Sequence, residues 1–130
     1  YGNRLSTDYS FGTIGFFIKQ AKAGKDITLY GGGDTKRTFT HMEDLCYQIV
    51  QGSMNKDSNG EIYNIGGQTL SLREAAEFVA KKFKTNVVAV EWPEKDFRIE
   101  SNHTYFDDTK IRSLLCIGEY KQLQEFSKDL

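Results

Sequence analysis

Proline and tryptophan occur once each in this chain of 130 residues, at Pro93 and Trp92, and cysteine only twice, at Cys46 and Cys116. The two cysteines lie far apart and in no CxxC motif. Only His41 and His103 accompany them, at no metal-binding spacing. A disulfide framework and a zinc site are therefore excluded, and both cysteines are expected to be free, buried thiols in a protein of the reducing cytoplasm. No apolar run exceeds a few residues, and no signal-peptide pattern or basic amphipathic segment is present, so no membrane partner is expected. Nor is there an excess of charge of one sign. The 17 basic and 18 acidic residues are mixed along the sequence and leave a formal charge of -1, without the basic stripe that a nucleic-acid partner requires. An initiator methionine is also lacking, and a start at Tyr1 is expected of a piece trimmed from a longer protein.

What the sequence does contain suits a folded domain. Hydrophobic residues make up 38% of it, with 9 Phe and 7 Tyr, and this length buries a core without cross-links. With no internal repeat or linker, residues 1–130 read as a single domain. Ile14, Phe17, Ile18 and Ala21 recur at helical spacing and predict a helix from about Thr13 to Ala23, ended by Gly24. Ile27–Tyr30 and Arg37–His41 alternate as strands around the turn Gly31-Gly32-Gly33-Asp34, which reads as a glycine hairpin. Thr40 and Glu43 are spaced as a capping box for a second helix, with Met42, Leu45, Cys46, Ile49 and Val50 as its buried face. Asn55–Gly60 is a polar loop, and Glu61–Ile65 reads as a strand ending at Gly66-Gly67. Ser71 and Glu74 form a second capping box, followed by the apolar stripe Leu72, Ala75, Ala76, Val79 and Phe83. Val87–Val90 is a short strand stopped by Trp92-Pro93. Beyond an irregular stretch, Asp107 or Asp108 caps a short helix to Leu115, and a last helix covers Tyr120–Lys128. The fold class is α/β, with an α+β-like arrangement of short strands and surrounding helices.

The chemistry-bearing candidate is Tyr30-Gly31-Gly32-Gly33-Asp34-Thr35-Lys36-Arg37. Glycines let backbone approach a ligand, and arginine offers a planar set of donors that matches phosphate oxygens. The same residues also serve a plain turn and a solvated strand, and chemistry alone leaves both readings open. The loop is neither a Walker motif nor a dinucleotide fingerprint, because it runs from strand to strand and not into a helix.

Five segments in order carry a resemblance: Tyr1-Gly2-Asn3-Arg4; Phe17–Ala21 with Gly24-Lys25; Ile27–Gly31; Arg37-Thr38-Phe39-Thr40-His41-Met42-Glu43-Asp44-Leu45; and Tyr63-Asn64-Ile65-Gly66-Gly67. Together they resemble the extended short-chain dehydrogenase/reductase family of NAD-dependent nucleotide-sugar epimerases and dehydratases, in the half that follows the catalytic tyrosine and lysine. The resemblance runs from Tyr1 to about Ile117. It implies that Arg37 contacts the diphosphate of a nucleotide sugar (UDP-, dTDP-, GDP- or CDP-linked). It also implies that Leu29 and Tyr30 lie along the base and that Asn64 lies near the nucleotide. Arg98, upstream of Asp107-Asp108-Thr109-Lys110, is the candidate for a second diphosphate arginine. Ile99-Glu100-Ser101 follows it where the family has Gly-Asp or a similar pair, so a solvated surface arginine is the alternative. Thr38 replaces a common aspartate, and Phe39 stands where some relatives carry tyrosine. His41 reads as a hydrogen-bonded structural residue, and Asp44 as part of a helix start.

Neither a Gly-x-Gly-x-x-Gly sequence nor a Tyr-x-x-x-Lys pair is present, so catalytic residues and a cofactor-binding motif are not assigned here. The resemblance implies that NAD or NADP and the reacting groups belong to an N-terminal Rossmann part of the parent enzyme. Helix two and the Tyr63 segment are expected to pack against that part. An exposed apolar surface near Leu45, Ile49 and Ile65 is then expected here, favouring self-association. The alternative is a stand-alone binding or interaction module that kept the shape and lost the reaction.

Overall fold

A computed structural model describes residues 1–2, 12–94 and 102–130; Arg4 and Arg98 lie outside the described residues. Helix α1 (Thr13–Lys22) buries Ile14, Phe17, Ile18 and Ala21, the face that the spacing predicts. The chain then turns at Gly24, whose φ of 68° suits a residue without Cβ. Facing α1 is a helix here called α3 (Leu72–Phe83), which buries Ala75, Ala76, Val79 and Ala80. Its small side chains leave room for Phe17 and Ile18. Its start is the predicted capping box: the Ser71 hydroxyl accepts from Glu74 N–H at 3.1 Å, and the Glu74 carboxylate accepts from Ser71 N–H at 2.8 Å. Ile27 from β1 (Ile27–Tyr30) and Leu123 from the last helix, α5 (Leu123–Lys128), are 0% exposed and complete this core. Burying each such side chain contributes about 1.5–3 kcal/mol.

Among the described residues the strands fall into two separate pairs. Strand β1 runs parallel to β4 (Val87–Val90), with Ile27 opposite Val87, while β2 (Lys36–Phe39) runs antiparallel to β3 (Gln68–Ser71), with Arg37 opposite Leu70. The expected glycine hairpin is therefore not a hairpin. Gly31, Gly32 and Gly33 take φ of 57°, 82° and 79°, and this left-handed turn carries the chain out of one sheet and into the other. A Cβ on Gly33 would lie 2.5 Å from Leu29 Cδ1, and one on Gly31 would overlap the Trp92 indole, so both φ and space demand glycine. The strand expected at Glu61–Ile65 is also absent. Among the described residues that stretch pairs with no strand, and the ladder forms after Gly66-Gly67 instead.

Helix α2 (Met42–Met54) starts at His41, not at a Thr40–Glu43 box: His41 Nδ1 accepts from Glu43 N–H at 3.2 Å. Its one buried residue is Gln48. Met42, Ile49 and Val50, read as a buried face, are 41%, 54% and 49% exposed, so the apolar surface expected near Ile49 is present while Leu45 and Ile65 are half-buried. Cys46 and Cys116 are free but exposed, which corrects the expectation of buried thiols. Cys46 shares the uncovered side of α2, and Cys116 takes the left-handed position that ends α4 (Thr109–Leu115). Helix α5 begins three residues later than the sequence suggests. Lys121 N–H is taken by the Asp44 carboxylate and Leu123 N–H by the Gln68 side chain, so the chain enters the helix only after these bonds. Among the described residues no helix is long and apolar enough to cross a membrane, and no group of His, Cys, Asp and Glu is placed to hold a metal ion.

Candidate functional site

One edge of β2 pairs with β3, and the other is covered by residues 102–106. Thr104 N–H donates to Lys36 O at 2.9 Å, Lys36 N–H to His103 Nδ1 at 3.0 Å, and Phe106 N–H to Thr38 Oγ1 at 3.1 Å, with Arg37 and Thr104 in a parallel bridge. The same segment receives both polar residues singled out in the sequence. Arg37 Nη1 donates to Lys36 O at 3.0 Å and to Asn102 O. Asn64 Nδ2 donates to Asp107 O at 2.9 Å. The two anchor points are five steps apart along the chain, a distance of at most about 16–18 Å.

Asn64 lines an open cavity of about 340 Å³ together with Thr38, Thr40, Leu45, Tyr63, Ile65 and Phe106. Thr38 in β2 and Thr40 just past its end share one face because side chains alternate along extended chain. Arg37 falls on the other phase and is not among the lining residues. The structure thus brings Arg37 and Asn64 to one segment but not to one wall of the cavity. The two threonines were the part that sequence reasoning missed, although the period of two already separates them from Arg37. Among the described residues, Asn64 Oδ1 accepts no hydrogen bond, which leaves an acceptor at the cavity edge for a ligand donor.

The neighbouring cation is already paired. Lys110 Nζ lies 2.5 Å from the Glu61 carboxylate and 4.6 Å from the centre of the Tyr63 ring. Hydrogen bonding and charge from Lys110 hold the Glu61 carboxyl below its ordinary range. Tyr30 is 45% exposed, and its ring meets that of Trp92 at 5.0 Å and 33°, giving a tilted aromatic pair beside the glycine turn. Leu29 is 4% exposed, with its side chain beneath Gly33 in the core. His41 is buried between Tyr1 and Phe126, and burial is the main cause of its lowered pKa. That fits the structural role its position suggests.

Among the described residues the chain is an α/β arrangement of one parallel and one antiparallel strand pair, with a polar-edged cavity beside β2. The sequence profile described as "NAD dependent epimerase/dehydratase family" matches residues 1–66, and the chain belongs to that family. It is 36% identical over 78 residues to a UDP-N-acetyl-alpha-D-glucosaminuronate decarboxylase of Bacillus cytotoxicus, covering 59% of this chain and 24% of that protein. To a dTDP-glucose 4,6-dehydratase of Streptomyces niveus it is 32% identical over 107 residues, covering 78% of this chain and 30% of the relative. The chain thus spans under a third of the length of these curated relatives. Its fold is shared with a UDP-glucuronic acid 4-epimerase from Bacillus cereus crystallised with NAD, at a TM-score of 0.75 and 24% identity, covering 98% of this chain and 38% of that one.

The Gly31–Gly33 turn does not have the form that binds a dinucleotide pyrophosphate. Pyrophosphate binding of that kind needs a glycine turn that opens a helix, so that N–H groups and the helix dipole face the anion. Here Gly31–Gly33 lead into β2.

Proposed function

We propose that this chain is the nucleotide-sugar-holding, C-terminal portion of an NAD-dependent epimerase/dehydratase, with the hydride- and proton-transfer groups carried by an N-terminal Rossmann part of the same enzyme. The observation that carries the reading is the pairing of Arg37 and Asn64 with the single segment 102–107 beside a cavity edged by Thr38 and Thr40. In this account the nucleotide lies along that segment. Asn64 Oδ1 and the threonine hydroxyls meet neutral donors and acceptors, while the guanidinium meets the diphosphate. The exposed Tyr30 ring, beside Trp92, offers an aromatic face to a base. The names of the curated relatives, a UDP-sugar decarboxylase and a dTDP-sugar dehydratase, favour a pyrimidine nucleoside diphosphate. Catalysis then divides between holding and reacting, and this chain supplies the alignment.

Calorimetric titration with UDP, dTDP, GDP and CDP tests the reading. Binding of UDP or dTDP is expected, and Arg37→Ala should weaken it by about 1.5–3 kcal/mol, the loss of a charge-assisted contact. Arg37→Lys, which keeps the charge without the planar fork, should fall between the two. Equal affinities for wild type and Arg37→Ala would remove the diphosphate role.

A further inference from the structure

The single side chain that α2 buries is polar, and it grips the segment that carries Asn64. Gln48 is 1% exposed. Its Nε2 donates to Gly66 O at 3.2 Å, and Gly66 N–H donates back to Oε1 at 2.8 Å, so one carboxamide satisfies both backbone groups of one residue. Nε2 also donates to Asp44 O within α2 at 3.1 Å. The opposite side of Gly66 is closed as well. A Cβ there would overlap both the Tyr120 hydroxyl and the Asp108 carboxylate, which are hydrogen-bonded to each other at 2.6 Å. Gly66 is therefore clamped between Gln48 and the Tyr120–Asp108 pair.

Residues 62–66 need such a clamp. Among the described residues they make no backbone–backbone hydrogen bond, and no strand runs beside them. Side chains replace the missing ladder: Gln48 at Gly66, Asn64 itself on Asp107 O, and Lys110 on Ile62 O at 3.0 Å. Of these holders, Gln48 alone is buried and bonds in both directions. A buried peptide group left without partners is unstable, so loss of the carboxamide should free the segment from α2.

We infer that Gln48 is a positioning residue for Asn64, holding residues 63–66 in the conformation that presents the Asn64 carboxamide at the cavity edge. The inference rests on the nucleotide-holding reading above. Ordering the segment before the ligand arrives spares that cost on binding, which is how a residue that touches no ligand acts on affinity.

The test combines amide hydrogen exchange with nucleotide titration on the whole chain, using UDP as the probe. Gln48→Met keeps length and apolar volume but neither hydrogen bond. Gln48→Glu keeps the acceptor for Gly66 N–H and loses the donor to Gly66 O. In Gln48→Met, exchange at Gly66 should accelerate about tenfold or more while Ala76 and Val79 in α3 keep their protection, and the Kd for UDP should rise about tenfold. Gln48→Glu should retain more of the Gly66 protection than Gln48→Met.

Unchanged protection at Gly66 would overturn the clamp. A uniform rise in exchange across α3 and Gly66 would reduce Gln48 to a general stability residue. Faster Gly66 exchange with unchanged UDP affinity would show that the clamp serves the fold and not the site. If wild type takes up none of the four nucleotides, the nucleotide-holding reading fails, and the exchange measurement alone then decides whether Gln48 holds the segment.

Discussion

Arg37 and Leu29 show how much a residue's setting changes the meaning of its type. The arginine sits beside a left-handed glycine turn, as the sequence suggests, but its strand phase turns it away from the cavity that Thr38 and Thr40 line. Leu29, expected along a base, spends its side chain on the core under Gly33. The period of two separates Arg37 from Thr38 and Thr40 already in the sequence, but which phase meets the core and which the cavity is set by the pairing. His41 is the case where the sequence reading was nearer. Its imidazole is buried and accepts from Glu43 N–H, so the neutral ring caps α2. Burial is the largest cause of its lowered pKa; Glu43 and Asp44 act against it, and Lys121 and the N-terminus add to it. The unfolded chain, with histidine near its ordinary value of about 6.5, then binds more protons than the folded one as pH falls through that range. The cap's contribution is full above about pH 6.5 and is lost on acidification towards the lower folded value. Urea unfolding should therefore show stability declining from pH 7 to 5.5. His41→Asn, which caps without titrating, should start lower for want of ring packing but decline less steeply. Parallel declines in the two proteins would contradict the assignment.

Among the elements, α3 was legible in its cap and most of its buried stripe and α2 only in part, and the difference is physical. The stripe of α3 finds α1 and the strands to pack against, and Ser71 and Glu74 cap it locally. Local signals of this kind are complete in the sequence. Helix α2 packs against α4 and leaves Leu45 half-buried, but Met42, Cys46, Ile49 and Val50 stay exposed, so its pattern gives a helix while most of its predicted burial fails. The glycine turn failed as a hairpin for a related reason. Turn chemistry is local, whereas the pairing of β1 with β4 and of β2 with β3 joins residues far apart in sequence. The exposed positions of α2 lead to a prediction at this scale. A contiguous apolar helix face drives association in water, so the isolated chain should self-associate in sedimentation velocity experiments, and Ile49→Glu with Val50→Lys should shift it towards monomer without unfolding it. A wild-type chain that stays monomeric up to high concentration would count against a face made to be covered.

At the scale of the molecule, the family was readable because five short segments keep their order across most of the chain, and the matched profile covers residues 1–66, where four of the five and most of the fifth lie. The α/β class followed from the alternation of helical and strand periods. The site was harder to read because it is assembled by residues 102–108, an irregular stretch whose hydrogen bonds to β2 and to Asn64 leave no periodic mark. The central claim is that this segment, β2 and Asn64 together form a nucleotide site. Backbone chemical-shift mapping during titration with UDP or dTDP tests it most directly. The account predicts that the saturable perturbations concentrate at Arg37, Thr38, Thr40, Asn64 and residues 102–107 and spare the α1–α3 core. Perturbations confined to some other surface, or none at saturating nucleotide, would contradict it.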